Sequence, residues 1–179
     1  MLPERITIPL LRTLHLLSVC AWIGGGIGIL LLLSLDYHAE TASELQAYNR
    51  VIDAVDDWII APGAMTTLVS GLLLAHARKL PVLHAGFFSL KLYGTTIAIV
   101  YGLCFVAPWL EKLLIYSRRD DLAVFDDRLY AGSYLVGAAG CAVQSVLVLG
   151  LLLVSVLRPR LVTRKRHEGR SGLGAPVLP

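Results

Sequence analysis

Four stretches of this chain carry no formal charge: residues 13–35, 58–77, 92–110 and 129–157. Crossing a hydrocarbon core of roughly 30 Å as a helix takes about 20 apolar residues, so each stretch is long enough. Hydrocarbon offers backbone N–H and C=O groups no partner, which restricts spanning segments here to helices that close their own hydrogen bonds. The expected fold is all-α: a polytopic membrane protein, a four-helix transmembrane bundle over residues 1–157, with spans at about 10–35, 58–77, 88–110 and 129–157. Composition agrees, with 56% hydrophobic and 16% charged residues and a mean hydropathy of +0.68, against about 25% charged in soluble domains. A soluble reading would require four such segments as buried core helices in one small chain.

The first stretch is not a secretory signal. It is longer than the roughly 7–15 residues of a signal h-region and runs into Gly24-Gly25-Gly26 with no small-residue cleavage pattern, so it reads as a retained anchor. Four spans put both termini on one side. That side collects Arg5, Arg12, Arg78, Lys79, Lys91 and the basic tail Arg158, Arg160, Arg164, Lys165, Arg166 and Arg170. The other side holds Arg50, Lys112, Arg118, Arg119 and Arg128. The positive-inside rule then places both ends in the cytoplasm of a bacterial inner membrane. The tail, 158–179, is basic and rich in Gly and Pro and is expected to be disordered beside anionic lipid headgroups. The expected partners are membrane lipids and a second copy or another membrane protein, not nucleic acid.

Within the spans, polar and small residues fall in stripes. At 100° per residue, His15, Trp22 and Gly26 lie within about 20° of one line, with Arg12 and Ser18 to either side. Polar groups in a span avoid lipid, so this stripe is expected to face other helices. Gly24-x-x-x-Gly28 reads as a close-packing motif rather than a nucleotide loop, because no strand precedes it. Leu45, Tyr48, Val51, Ile52, Val55 and Ile59 recur at helical spacing behind Thr41-x-x-Glu44 and Ser43-x-x-Gln46, both capping-box patterns. They predict an amphipathic extension outside the membrane that runs into span two, with a kink near Pro62. Gly63, Thr67, Ser70 and Ala77 form the stripe of span two, with Asp56 on the same line. Lys91, Thr95, Ala98 and Gly102 form that of span three, and Pro108-Trp109 mark its exit. Ser133, Gly137, Gly140 and Gln144 form that of span four. Cys20, Cys104 and Cys141 all fall within spans, with no C-x-x-C pattern, and read as small packing residues.

Chemistry has few places to reside. His15 is either a neutral imidazole bonded to a neighbouring helix, or a ligand to haem or a metal, or a proton-handling group. Arg12, one turn below, and Lys91 are either interfacial anchors or partners for an anionic group such as a haem propionate. His76 projects away from the Ser70 line, and His38, His84 and His167 have no ligand spacing. Asp53, Asp56 and Asp57 are either a solvated helix start or weak ligands for a hard cation. No nucleophile triad or phosphate loop occurs.

With these residues in view, the chain resembles known membrane families. Leu11-Arg12-Thr13-Leu14-His15 through Ala21-Trp22-Ile23-Gly24-Gly25 resembles the opening of HemJ-type protoporphyrinogen oxidases and copper-resistance D (CopD) domains. Asp57-Trp58-Ile59-Ile60-Ala61-Pro62-Gly63 through Ser70-Gly71-Leu72 is similar to a related group of bacterial predicted integral membrane proteins of unknown function, and Leu90-Lys91-Leu92 matches the start of span three in these families. The resemblance covers about residues 10–110 and implies a four-helix bundle. For HemJ-type relatives it implies haem-dependent redox chemistry, with haem near His15 and Lys91 beside it. For CopD-like relatives it implies an accessory of copper or cation transport. HemJ-type proteins carry arginine and histidine after the W-x-G segment, where this chain has only apolar or small residues, Ile27–Leu35. The uncharacterised group therefore matches better, and activity is left open.

Overall fold

The computed structural model of the protein describes residues 4–77, 86–118 and 128–168. Helices α1 (Glu4–Asp36), α2 (Ala42–Val55) and α3 (Ala61–Ala77) come first, then α4 (Gly86–Tyr101), α5 (Ala107–Ser117) and α6 (Arg128–Glu168). A single wide π-helical turn, Asp56–Ile60, joins α2 to α3, and a second, Gly102–Val106, joins α4 to α5. The described residues thus form four long rods, α1, α2–α3, α4–α5 and α6, and contain no strand. Four helical stretches are long and apolar enough to cross a membrane: Thr7–Asp36, Ala42–Ala77, Ser89–Ser117 and Arg128–Ser155.

The outer surface is what lipid requires. Leu16, Leu17, Leu31, Ile97 and Val146 are all more than 60% exposed, and Val69 of α3 is 51% exposed, a pattern on every rod that suits a hydrocarbon surround. Inside, Trp22, Ile29, Leu33, Leu45, Ile52, Leu110 and Leu113 form one continuous core. Lipid tails are as apolar as leucine, so helix association rests on close packing of small residues rather than on hydrophobic transfer. Gly63 is the clearest case: a Cβ there would lie 3.3 Å from both the Ser18 carbonyl oxygen and the Trp22 amide nitrogen. Gly140 would meet Val106 at 3.3 Å, and Gly137 would meet Leu110 at 3.5 Å, so span four packs on α4–α5 along the expected face.

Several local expectations change. Gly24 and Gly28 face open space, and it is Gly25, against Ile60, and Gly26, against Ser145, that touch neighbours. The stripe of α1 is one residue away from the G-x-x-x-G pair because Trp22 and Ile29 set the buried line. α1 begins at Glu4, ahead of the expected start of the span at about residue 10, and carries Pro9 inside it. Thr41 caps α2 by accepting from the Glu44 amide at 3.2 Å, while Glu44 Oε2 accepts from the Glu40 amide at 3.0 Å. The capping function therefore falls to Thr41-x-x-Glu44. Rather than lying apart, α2 packs against α1 and α5, with Leu45, Asn49 and Ile52 inward. Pro108 does not end its helix, which continues to Ser117. α6 continues to Glu168, past the point where the tail was expected to begin, and 169–179 lie outside the described residues. Cys141 is buried as expected, but Cys20 and Cys104 are exposed.

Both wide turns have one cause. A proline inside a helix lacks an N–H and its ring clashes with the carbonyl four residues back. For Pro62 and Pro108 those carbonyls belong to Trp58 and Cys104, each at the middle of a π turn. The widened turn moves the carbonyl away, and the Ala61 and Ala107 amides bond five residues back, to Asp56 and Gly102. The strain expected as a kink at Pro62 is taken up as one extra residue in the preceding turn. The extra residue shifts the buried line: Ile59, expected inward, is 44% exposed, and Ile60 is buried at 8%.

Candidate functional site

Polar side chains meet inside the bundle at three levels along α1. The first is built around His15, which is half-buried. Its Nδ1 lies 2.9 Å from Ser70 Oγ. The single Ser70 hydroxyl proton goes to the Thr66 carbonyl of its own helix, so in the contact with His15 the imidazole is the donor: Nδ1–H donates to Ser70 Oγ. That assigns the tautomer and leaves the lone pair on Nε2. Gly71 makes room for the ring, since a Cβ there would lie 3.4 Å from His15 Cε1. One turn on, Ser18 Oγ donates to the His15 carbonyl at 2.9 Å, and Thr67 Oγ1 donates to Ser18 Oγ at 3.0 Å.

The structure brings Lys91 to this level, where its charge acts on His15, and Lys91 Nζ donates to Ser155 Oγ at 2.6 Å. Arg12 is exposed rather than turned inward. His76 is exposed, and His38 Nδ1 pairs with the Ser34 carbonyl at 2.7 Å in the exposed turn after α1. His84 lies outside the described residues. Among the described residues, no three His, Cys, Asp or Glu side chains converge as they would to hold a metal.

The second level is a cavity of about 30 Å³ between the two π turns. One water takes roughly 10–15 Å³ on this measure, so there is room for a water or two. Trp22, Asp56, Cys141, Gln144 and Ser145 line it, together with Ile60 of one π turn and Val106 of the other. Gln144 lies across Gly102, where a Cβ would meet its Nε2 at 2.6 Å. Ser145 Oγ donates to the Cys141 carbonyl at 2.8 Å. The half-buried Asp56 carboxylate receives no hydrogen bond and meets no basic side chain among the described residues, and the charges that act on it are Asp53 and Asp57. Of the three outer aspartates, then, only Asp56 faces the cavity, while Asp57 is exposed.

The third level caps the bundle where α1 ends. Asp36, Asn49 and Tyr130 are buried at 0%, 1% and 1% exposure. Asn49 Nδ2 donates to Asp36 Oδ1 at 2.7 Å and to the Leu45 carbonyl at 3.0 Å, and it lies 3.3 Å from Tyr130 Oη. Tyr130 Oη donates to Asp36 Oδ2 at 2.7 Å, and Tyr134 Oη donates to the Leu33 carbonyl at 2.8 Å. The sequence reading did not single out this cluster. Its signal was present: Asn49 falls on the apolar line of α2, between Leu45 and Ile52, where a carboxamide needs a partner.

Comparison with known proteins bears on the whole chain. A family model described as "Predicted integral membrane protein (DUF2269)" matches residues 9–159. No curated protein and no solved structure is significantly similar to the chain.

Proposed function

The chain belongs to the predicted integral membrane proteins of the DUF2269 family, and from that premise we propose that it is a proton-handling bundle in which Asp56 is the residue that takes up and releases the proton. One observation carries this reading: a carboxylate without hydrogen-bond or basic partners among the described residues lines a water-sized cavity inside an apolar helical bundle. Ionisable residues inside a span are costly, and they mark ion and proton pathways. A lone carboxylate with room for one or two waters suits a proton better than a multivalent metal, which would need more ligands. The His15–Ser70 and Ser18–Thr67 bonds form a separate polar level nearer the N-terminal end of α1. The distribution of basic residues supports a bacterial inner membrane with both termini cytoplasmic.

The test uses the full chain in liposomes with a potassium-driven membrane potential and a pH-sensitive dye inside. Proton flux above that of empty vesicles is expected, and Asp56→Asn abolishes it. Flux absent from the parent, or unchanged in Asp56→Asn, overturns the reading.

A second reading, haem binding at His15, is favoured by the tautomer. A hydrogen-bonded Nδ1–H orients an imidazole and leaves Nε2 to ligate. Lys91 at the same level is placed to meet an anionic substituent. Purification from haem-sufficient cells tests this: a Soret band lost in His15→Ala supports it, and a colourless parent removes it. The copper reading lacks a comparable observation, because no metal-ligand group converges among the described residues.

A further inference from the structure

The Asp36 cluster is distinct from the cavity and has an unexplained feature. Asn49 Oδ1 is fully buried and has no hydrogen-bond partner among the described residues. Buried polar atoms are almost always paired, and leaving one unpaired costs about 1–3 kcal/mol. Beside it, Asp36 carries a carboxyl with no solvent exposure and no basic side chain bonded to it among the described residues. Its oxygens meet one neutral donor each, the Asn49 amide and the Tyr130 hydroxyl. An ionised carboxylate buried with only neutral partners is expensive, and such a group tends to neutralise instead.

We propose that Asp36, Asn49 and Tyr130 form a proton-binding site in which Asp36 takes up a proton and the Asn49 amide turns over to accept it. In the ionised state the amide –NH2 faces Asp36 Oδ1, as observed. Protonation forms an O–H bond on Oδ1, the proton leaving a hydronium ion that becomes water, and no electrons change hands. Asp36 is then a donor. A half-turn of the Asn49 amide brings its carbonyl oxygen to the position 2.7 Å from Oδ1 that Nδ2 held; the amide gives up its bond to the Leu45 carbonyl, which must draw back from the incoming oxygen, and accepts the bond from the protonated carboxyl in exchange. Tyr130 keeps its own proton and its bond to Oδ2. Asp36 ends α1, and the next residue, Tyr37, is 66% exposed, so one turn of chain separates the site from bulk solvent.

The groups around the site leave Asp36 as the one that titrates. Tyr130 and Tyr134 face it from α6, and Tyr37 faces Tyr134 from the turn after α1. Asn49 of α2 is neutral. Asp53 of α2 faces Glu111 and Arg118 of the α5 end, and Lys112 lies over the Trp109 ring. The proposal does not require Asp56 to conduct.

Infrared difference spectra of the full chain in lipid nanodiscs, taken as pH is varied, test it directly. The cavity carboxyl is removed first, as Asp56→Asn, and in that variant a carboxylic-acid carbonyl band is expected that shifts in D2O and disappears when Asp36→Asn is added. Tyr130→Phe, which keeps the ring and removes only the hydroxyl, shifts the band by taking away the bond to Oδ2. In the same variant, no titrating band, a band that survives Asp36→Asn, or a band unmoved by Tyr130→Phe overturns the proposal. Failure of the Asp56 flux test leaves these outcomes unaffected, so the two proposals stand or fall separately.

Discussion

At the scale of single residues, the bundle spends stability on two groups in different ways. His15 is satisfied: its Nδ1–H reaches Ser70 Oγ at 2.9 Å, and its ring rests on Gly71. Removing it leaves a gap against α3 and deletes a buried bond, so His15→Ala should destabilise the protein by about 1–3 kcal/mol. Ser70→Ala should cost less, because the imidazole keeps its packing. Equal midpoints for the two variants in detergent thermal denaturation would show that the bond and the ring contact contribute nothing separately. Asp56 is the opposite case, a carboxylate that meets no donor among the described residues. Asp56→Asn removes the charge with little change of shape and should raise stability by about 1 kcal/mol or more. A variant that is more stable yet without flux is the pattern expected where function retains a costly group. A less stable Asp56→Asn would mean that the carboxylate has a partner after all.

At the scale of elements, the packing argument separates glycines that look alike in sequence. Gly63 approaches the backbone of α1, which cannot yield, and Gly140 faces Val106. Gly63→Leu and Gly140→Leu should each cost on the order of 1–3 kcal/mol by overpacking. Gly24→Leu and Gly28→Leu, which point into open space, should cost little and serve as controls; a loss of thermal stability in either would place that face against a partner. The π turns make a second claim. Pro62→Ala removes the clash at Trp58, and α2–α3 can then run as a regular α-helix. One residue fewer in the turn rotates the preceding segment by about 100°, which would turn Asp56 away from the cavity. Circular dichroism should be unchanged while proton flux falls as it does in Asp56→Asn. Full flux in Pro62→Ala would show that the wide turn does not position the carboxylate.

At the scale of the whole molecule, the four rods and their lipid-compatible surface predict four crossings with both termini on one side. The basic residues predict that this side is the cytoplasm. An alkaline phosphatase fusion after Pro179 should be inactive, and strong activity would reverse the orientation. The number and approximate position of the helices were legible in the sequence, as were the inward placement of Trp22 and Ser18 and the faces of Gly63 and Gly140. Each follows from one-dimensional quantities, hydrocarbon thickness and helical period, that act on every segment alone. What only the tertiary structure decided is which groups meet. Gly25 rather than Gly24 touches α3, and Ile60 rather than Ile59 is buried, because a π turn inserts a residue that no hydrophobic period reports. Asp36, Asn49 and Tyr130 come from three separate helices, and the cavity exists only where two widened turns face each other across the bundle. Such meetings depend on the rotation and relative height of whole helices, quantities set by side-chain packing between rods rather than by the composition of any one of them.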